Sequence, residues 1–343
     1  MIAYPLKPLL ILASVALGAF LLSWFLIKLL LPTLARYALD RPNARSSHRE
    51  PVPQGGGVAV VVATLAATWA AIILAPSILG DSAPQLEAVT TAVVLLALVG
   101  GFDDIRSLSA PLRLLVQCLA VGIIVMALPQ EFQILPHVPR WLDRTFAFIG
   151  GVWFVNLVNF MDGIDWMTVT ETVPITGAVV VLAFYAGVGI LPTLVAAALC
   201  GAILGFAPFN KPVARLFLGD VGSLPVGLLL AWLLLQVAGR GHLAAAVLLP
   251  LYYVADATIT LGRRLARGEQ VWRAHRTHFY QRAIDNGFTV PQIIARVAVV
   301  NLSLVVLALA TAAAPTTAVK SIALAAGCAL VAWLLITFMR RKG

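Results

Sequence analysis

The chain has 343 residues, of which 61% are hydrophobic and only 11% charged, and its mean hydropathy is +0.95. Values this apolar exclude a soluble globular domain and describe a polytopic membrane protein. The net charge of +9 sits in short stretches between apolar runs, which fits membrane topology and anionic substrates and argues against nucleic acid.

Apolar runs of about 17–25 residues read as spanning helices. In chain order they lie near 9–31, 57–79, 88–101, 111–128, 145–161, 172–189, 191–208, 222–239, 243–262, 292–312 and 318–339. The expected fold is therefore all-α, a single polytopic membrane domain over 1–343 with about eleven spans. The run at 88–101 is short and the hairpin at 189–192 is tight, so about ten is the alternative count. The first run is long enough to span and no small-residue cleavage site follows it, so it reads as an anchor, not a signal peptide. Cys118, Cys200 and Cys328 all fall inside apolar runs without metal-like or disulfide-like spacing and are expected to be small buried hydrophobes.

Lys and Arg alternate strongly between the two sets of loops. One set holds Arg36, Arg41, Arg45, Arg49, Arg106, Arg113, Lys211, Arg215, the arginines from Arg263 to Arg282, and the C-terminal Arg340, Arg341 and Lys342. The other holds only Lys7, Arg140, Arg144, Arg240 and Lys320. The rich set is expected on the cytoplasmic side, with the N-terminus outside. Its loops, 32–56, 102–111, 160–171, 208–221 and 263–291, carry all the unusual polar clusters, which predicts one site on that face. His137 and His242 fall in the opposite loops and carry no reading.

Asn156, Asn159 and Asp162 are spaced so that a helix holds them on one broad face, and Gly163 and Asp165 follow at its end. Polar groups this dense are expensive at the end of an apolar run, so they read as the floor of a metal and phosphate site. Asp103 and Asp104 stand where a helix leaves the membrane; such a pair holds a divalent cation, orients a base or accepts a proton, or else merely stops the helix. Asp220, between Gly219 and Val221-Gly222, is either an N-cap of the next helix or a metal ligand at a helix N-terminus. His275 and His278, with Arg276 and Arg282, lack a third zinc ligand and suit an anion. Asp256 is an acid inside an apolar run, either functional or paired with Arg263 or Arg264. His48 precedes a Pro/Gly segment, 51–57, able to close over a ligand.

Four of these motifs, Asp103-Asp104, Asn156-x-x-Asn159-x-x-Asp162-Gly163-Ile-Asp165, Phe217-Leu-Gly-Asp220-Val-Gly-Ser223 and His275-x-x-His278-x-x-x-Arg282, stand in the order found in the polyprenyl-phosphate sugar-1-phosphate transferases. The chain resembles that family over nearly its whole length; the family includes the phospho-MurNAc-pentapeptide translocase. The resemblance implies transfer of an N-acetylhexosamine 1-phosphate from a UDP-N-acetylhexosamine to undecaprenyl phosphate in the bacterial inner membrane, with release of UMP. It implies Mg2+ or Mn2+ as cofactor, and a homodimer is common among relatives. By motif matching, Asp220 is the metal ligand, with Asp162 and Asn159 lining the nucleotide and metal site. Asp103 is the candidate base, with Asp104 beside it. His48, Asn156, Asp165, Lys211, Arg215, His275, Arg276, His278 and Arg282 complete the expected substrate contacts.

Two departures stand out. Trp166 occupies a place where the family usually has Gly, and His275-Arg-Thr-His278 replaces the translocase's longer histidine run, which favours the hexosamine branch. The rival class is a lipid-linked-sugar flippase or secondary transporter, which predicts polar groups near the bilayer midplane.

Overall fold

The computed structural model describes residues 6–40, 51–78, 80–270 and 275–342. The chain is an all-α, multi-pass membrane protein. Among the described residues, seven helices are long and apolar enough to cross a membrane. They are α1 (Leu6–Tyr37), α2 (Gly57–Leu74), α3 (Ala83–Ile105), α5 (Arg140–Met161), α8 (Asp220–Gly239), α12 (Val290–Ala313) and α13 (Thr317–Met339). Three shorter apolar helices accompany them: α4 (Ala110–Met126), α6 (Met167–Ala183) and α7 (Ile190–Phe206).

The run 243–262 departs from the expected single span. It breaks into α9 (Leu243–Leu248) and α10 (Leu251–Ala266), with Pro250 at the join. A proline has no N–H to donate and its ring crowds the preceding turn, so the chain restarts its helix there. α10 carries Asp256, Thr258, Thr260, Arg263 and Arg264 among its apolar residues. The loop at 263–291 also holds an unexpected short helix, α11 (Phe279–Asp285).

α8 is the hub. Its residues from Val221 to Val237 are apolar nearly all round, and a helix of that kind is stable only when enclosed; it packs against α2, α3, α5, α6 and α9. The approach to α2 is close because both partners lack a side chain: a Cβ on Gly222 would lie 2.6 Å from the Gly57 Cα. Either glycine replaced by any other residue would force the helices apart.

At one end of this bundle the chain ties its loops together. Leu39–Asp40 pairs antiparallel with Val52–Pro53, and Gln54 bridges on to Phe217. Asn286 Nδ2 donates to Phe338 O at 2.8 Å, bringing the end of α13 to the same side. The ends of α1, α3, α5 and α13 and the starts of α2 and α8 meet here.

A buried polar contact joins α6 to α12. Asn301 Nδ2 donates to Glu171 Oε2 at 2.7 Å and to Thr170 O at 3.1 Å. Removing one partner leaves the other unsatisfied, a cost of about 1–3 kcal/mol. Glu171→Ala is therefore expected to lower the unfolding temperature in detergent, while Glu171→Gln, which can still accept from Asn301, stays close to wild type. Equal stability of Glu171→Ala and wild type would show that this contact contributes nothing. The cysteines are unpaired, but they are less buried than expected: Cys328 is exposed on α13, and Cys118 and Cys200 are half-buried.

Candidate active site

The site grows from the start of α8. Gly219 has φ of +75°, a left-handed conformation that glycine adopts without penalty. It turns the chain so that the first N–H groups of α8 face the end of α3. There Asp104 Oδ1 accepts from Asp220 N at 2.9 Å, and Asp104 Oδ2 accepts from Val221 N at 3.0 Å. Asp104 is thus the cap of α8, held in place from another helix, and it complements the positive end of the helix dipole. The capping role that Asp220 might have taken is already filled, which releases its side chain for other partners.

Asp220 Oδ1 accepts from Asn159 Nδ2 at 2.7 Å, and the same amide nitrogen lies 2.8 Å from Ser223 Oγ. Asp220 Oδ2 lies 3.6 Å from Arg113 Nη1. That guanidinium nitrogen also pairs with Asp103 Oδ2 at 2.8 Å, and Asp103 Oδ1 accepts from Leu108 N. Two residues adjacent in sequence therefore play different parts, since Asp104 holds a helix start and Asp103 joins Arg113 beside Asp220.

Asn156 and Asn159 sit one turn apart on α5, and Asn156 Nδ2 donates to Gln117 Oε1 on α4 at 2.6 Å. Asp162 follows as the C-cap of α5, and its carboxylate accepts from the Thr168 hydroxyl. Burial raises the Asp162 carboxyl to about 6; the Thr168 bond opposes that rise, and the neighbouring Asp104 and Asp165 charges add to it.

Asp165 is turned elsewhere. It is buried, and its Oδ2 accepts from Ala214 N at 3.0 Å, fastening the loop after α7. Trp166 reinforces that join: its backbone N–H donates to Asn210 Oδ1 and its ring N–H to Ala207 O, each at 2.7 Å. Its φ of +62° is the left-handed conformation that Gly would take easily. The indole contacts hold a bulky residue in that strained turn, so the departure from the family pattern leaves the turn itself intact.

The second cluster forms around Asp256, which is completely buried on α10. Its Oδ1 accepts from Phe279 N at 3.0 Å and lies 3.1 Å from His278 Nδ1, and its Oδ2 accepts from Tyr280 N at 3.2 Å. Of the two readings open for Asp256, the arginine pair does not form: Arg264 binds Glu269 at 2.8 Å, and the partner of Asp256 is His278. The rings of His275 and His278 stack at 4.9 Å, and Tyr280 continues the stack at 5.7 Å. Arg276 pairs with Asp285 at 3.4 Å, and its buried Nε has no protein partner among the described residues. Arg282 points toward Met339 Sδ, 3.9 Å away. Lys211 and Arg215 are exposed on the loop after α7. His48 lies outside the described residues.

A cavity of about 960 Å3 runs between α4, α5, α8 and α10. Leu114, Phe148, Ile149, Val152, Trp153 and Leu265 contribute to its apolar walls, and Arg113, Asn159 and Asp220 line it as well. Sequence reasoning noted Arg113 only as a neighbour of the Asp pair and missed Gln117; neither carries a signal beyond standing on a helix that starts a few residues after Asp103.

Among the described residues no three His, Cys, Asp or Glu side chains form a metal-holding group. The oxygens gathered around Asp220 are its own carboxylate, Ser223 Oγ, which shares the Asn159 Nδ2 donor, and Asp103 Oδ2, which shares Arg113 Nη1, a hard set. These oxygens suit a hard cation such as Mg2+, which would complete its shell with water and ligand oxygens.

Residues 86–238 match the model of glycosyl transferase family 4. That match spans less than half of the chain, and it is a likeness to the family. The matched span contains Asp103, Asp104, Arg113, Asn159, Asp162 and Asp220, and family 4 relatives extend the likeness beyond it. The chain is 23% identical over 286 residues to a probable undecaprenyl-phosphate N-acetylglucosaminyl 1-phosphate transferase of Bacillus subtilis (strain 168), covering 79% of this chain and 78% of the relative. It is 28% identical over 274 residues to the undecaprenyl-phosphate alpha-N-acetylglucosaminyl 1-phosphate transferase of Yersinia pestis, covering 73% and 70%. It is 27% identical over 318 residues to the decaprenyl-phosphate N-acetylglucosaminephosphotransferase of Mycobacterium leprae (strain TN), covering 82% and 78%.

Proposed function

We propose that this protein acts as a member of glycosyl transferase family 4: it transfers an N-acetylhexosamine 1-phosphate from a UDP-sugar to undecaprenyl phosphate and releases UMP. The donor sugar is of the GlcNAc, GalNAc, FucNAc or QuiNAc type, and the product starts an O-antigen or another cell-envelope polysaccharide. The observation that carries this reading is the long apolar cavity lined also by Asn159, Asp220 and Arg113. Its chemistry suits a prenyl chain with a phosphate at its head, and the relatives' names specify such acceptors.

In this reading the acceptor phosphate lies beside Arg113, whose charge offsets its own, and attacks the β-phosphorus of the donor in line with departing UMP. A phosphate monoester has its second pKa near about 6, so the acceptor is already largely dianionic at neutral pH and asks little of a base. Asp103 holds Arg113 in place and accepts any remaining proton. Asn159 fixes the rotamer of Asp220, and Asp162 bounds the nucleotide side. The His275–Arg282 loop meets the donor, where Arg276 Nε offers a hydrogen bond to an anionic oxygen. Asp220, with help from the Asp162 region, would hold Mg2+ or Mn2+, which when bound neutralises charge on the diphosphate.

The surplus of Lys and Arg on the loops at this end supports a cytoplasmic active site with about eleven spans, counting α9 and α10 as one interrupted crossing. The clustering of Asp103, Asp162 and Asp220 at helix ends favours transfer chemistry over a transporter. Purified protein, given undecaprenyl phosphate, Mg2+ and a panel of UDP-amino sugars, is expected to release UMP with at least one donor, to stop on EDTA and to resume on Mg2+ addition. Folded protein that releases no UMP with any donor would overturn the proposal.

A further inference from the structure

The proposed function leaves Asp256 without a role, although a fully buried carboxylate on an apolar helix is costly unless its oxygens are engaged. They are engaged mainly in one direction. Besides the backbone N–H groups of Phe279 and Tyr280, and His278 Nδ1, Tyr252 Oη and Thr260 Oγ1 each lie 3.4 Å away. The three shorter contacts, to residues 278–280, all reach the start of α11. The arrangement repeats the device at Asp104, a carboxylate on one helix fastening the start of another.

The fastening continues past α11. Tyr280, completely buried, donates its hydroxyl to Phe160 O at 3.1 Å. Phe160 is the neighbour of Asn159, which holds Asp220. Gly163 makes room for this contact, because a Cβ there would overlap the Tyr280 hydroxyl. A continuous chain of contacts thus runs from Asp256 through His278 and Tyr280 to the end of α5 and on to Asp220.

We propose that Asp256 is a positioning residue for the donor: it fixes His278 with Nδ1 turned toward α10, leaving Nε2 as the ring nitrogen that Asp256 does not engage, and with Tyr280 it sets the histidine loop against the end of α5. The inference rests on the transferase reading for its kinetic consequence, but the Asp256–His278 contact stands independently of it. Asp256 itself touches neither substrate, since the His278 ring and the first turn of α11 cover it. Loss of register in such a loop is felt as misplacement of the donor, and misplacement by about 1 Å costs on the order of 100-fold.

Asp256→Asn tests this. An amide keeps the size but presents an NH2 where one of the incoming donors now points. The expected result is a donor KM raised at least about tenfold with the undecaprenyl-phosphate KM unchanged, and a double variant with His278→Ala no worse than His278→Ala alone, as residues acting through one another require. A contact-level readout accompanies it: in 15N-histidine-labelled protein the signal lost in His278→Gln should report a protonated Nδ1, and that signal should shift in Asp256→Asn. If Asp256→Asn does not fold, Tyr280→Phe takes its place, with a raised donor KM again expected. Unchanged donor KM in a folded variant, additive effects with His278→Ala, or an unshifted His278 signal would overturn the proposal. Failure of wild-type protein to release UMP would instead overturn the transferase reading, with the histidine spectrum still deciding the contact.

Discussion

Asp220→Asn is expected to lower UMP release by about a thousandfold, the scale on which loss of one preorganised charge at a reacting phosphoryl group is felt. The reason lies in what the substitution leaves alone. The α8 start stays capped, because its first N–H groups bond to Asp104 and not to residue 220. The remaining carbonyl oxygen can still accept from Asn159 Nδ2, now 2.7 Å from Asp220 Oδ1. What disappears is one negative charge beside Arg113, and with it the strongest oxygen ligand for a cation. The thermal unfolding midpoint in detergent should therefore change little while turnover collapses. A variant within tenfold of wild type would remove Asp220 from the site.

Gly100→Ala and Gly101→Ala should behave oppositely although the two positions are neighbours. A Cβ on Gly100 would overlap the Asp220 carbonyl and come within 2.7 Å of Val221 N, all of it backbone that cannot swing aside. α3 would have to move off α8 at the point where Asp103, Asp104 and Asp220 meet. Overpacking of this kind costs about 1–3 kcal/mol where side chains can adjust, and more where backbone is in the way. Gly100→Ala is expected to lose most activity and several degrees of thermal stability. On Gly101 the same Cβ meets only the Val221 side chain at 3.4 Å, ordinary contact, so Gly101→Ala should retain stability and turnover. Similar behaviour of both variants would show that the α3–α8 approach is not what shapes the site.

Much of this architecture is legible without coordinates. Length and hydropathy alone require a stack of apolar helices, since a run of about 20 apolar residues has no other stable place than a bilayer or an enclosed core. The helix-face spacing of Asn156 and Asn159 survives in three dimensions because α5 is regular across them. The unusual density of Asp, Asn and Gly at helix ends marks the site for the same reason that it is rare elsewhere: unpartnered polar groups are too costly there to persist without a function.

Other features depend on tertiary contact and carry no sequence signal. That Asp104 caps α8 while Asp103 pairs with Arg113 follows from how α3 leaves the membrane against α8; two adjacent carboxylates are indistinguishable in sequence. The same holds for Asp256, whose near neighbours Arg263 and Arg264 suggested a local ion pair, whereas its partner lies 22 residues on at His278. Asp165, grouped with Asn156, Asn159 and Asp162 by proximity along the chain, faces Ala214 because the chain turns at Trp166 and carries that carboxylate inward. Sequence by itself determined the class of molecule and singled out the polar residues at helix ends as candidates, because burial cost and periodicity are local properties. Which carboxylate holds a helix, which holds a loop and which faces the cavity was decided only by the packing of α3, α5, α8 and α10, because hydrogen-bond partners distant in sequence are chosen by geometry and not by composition.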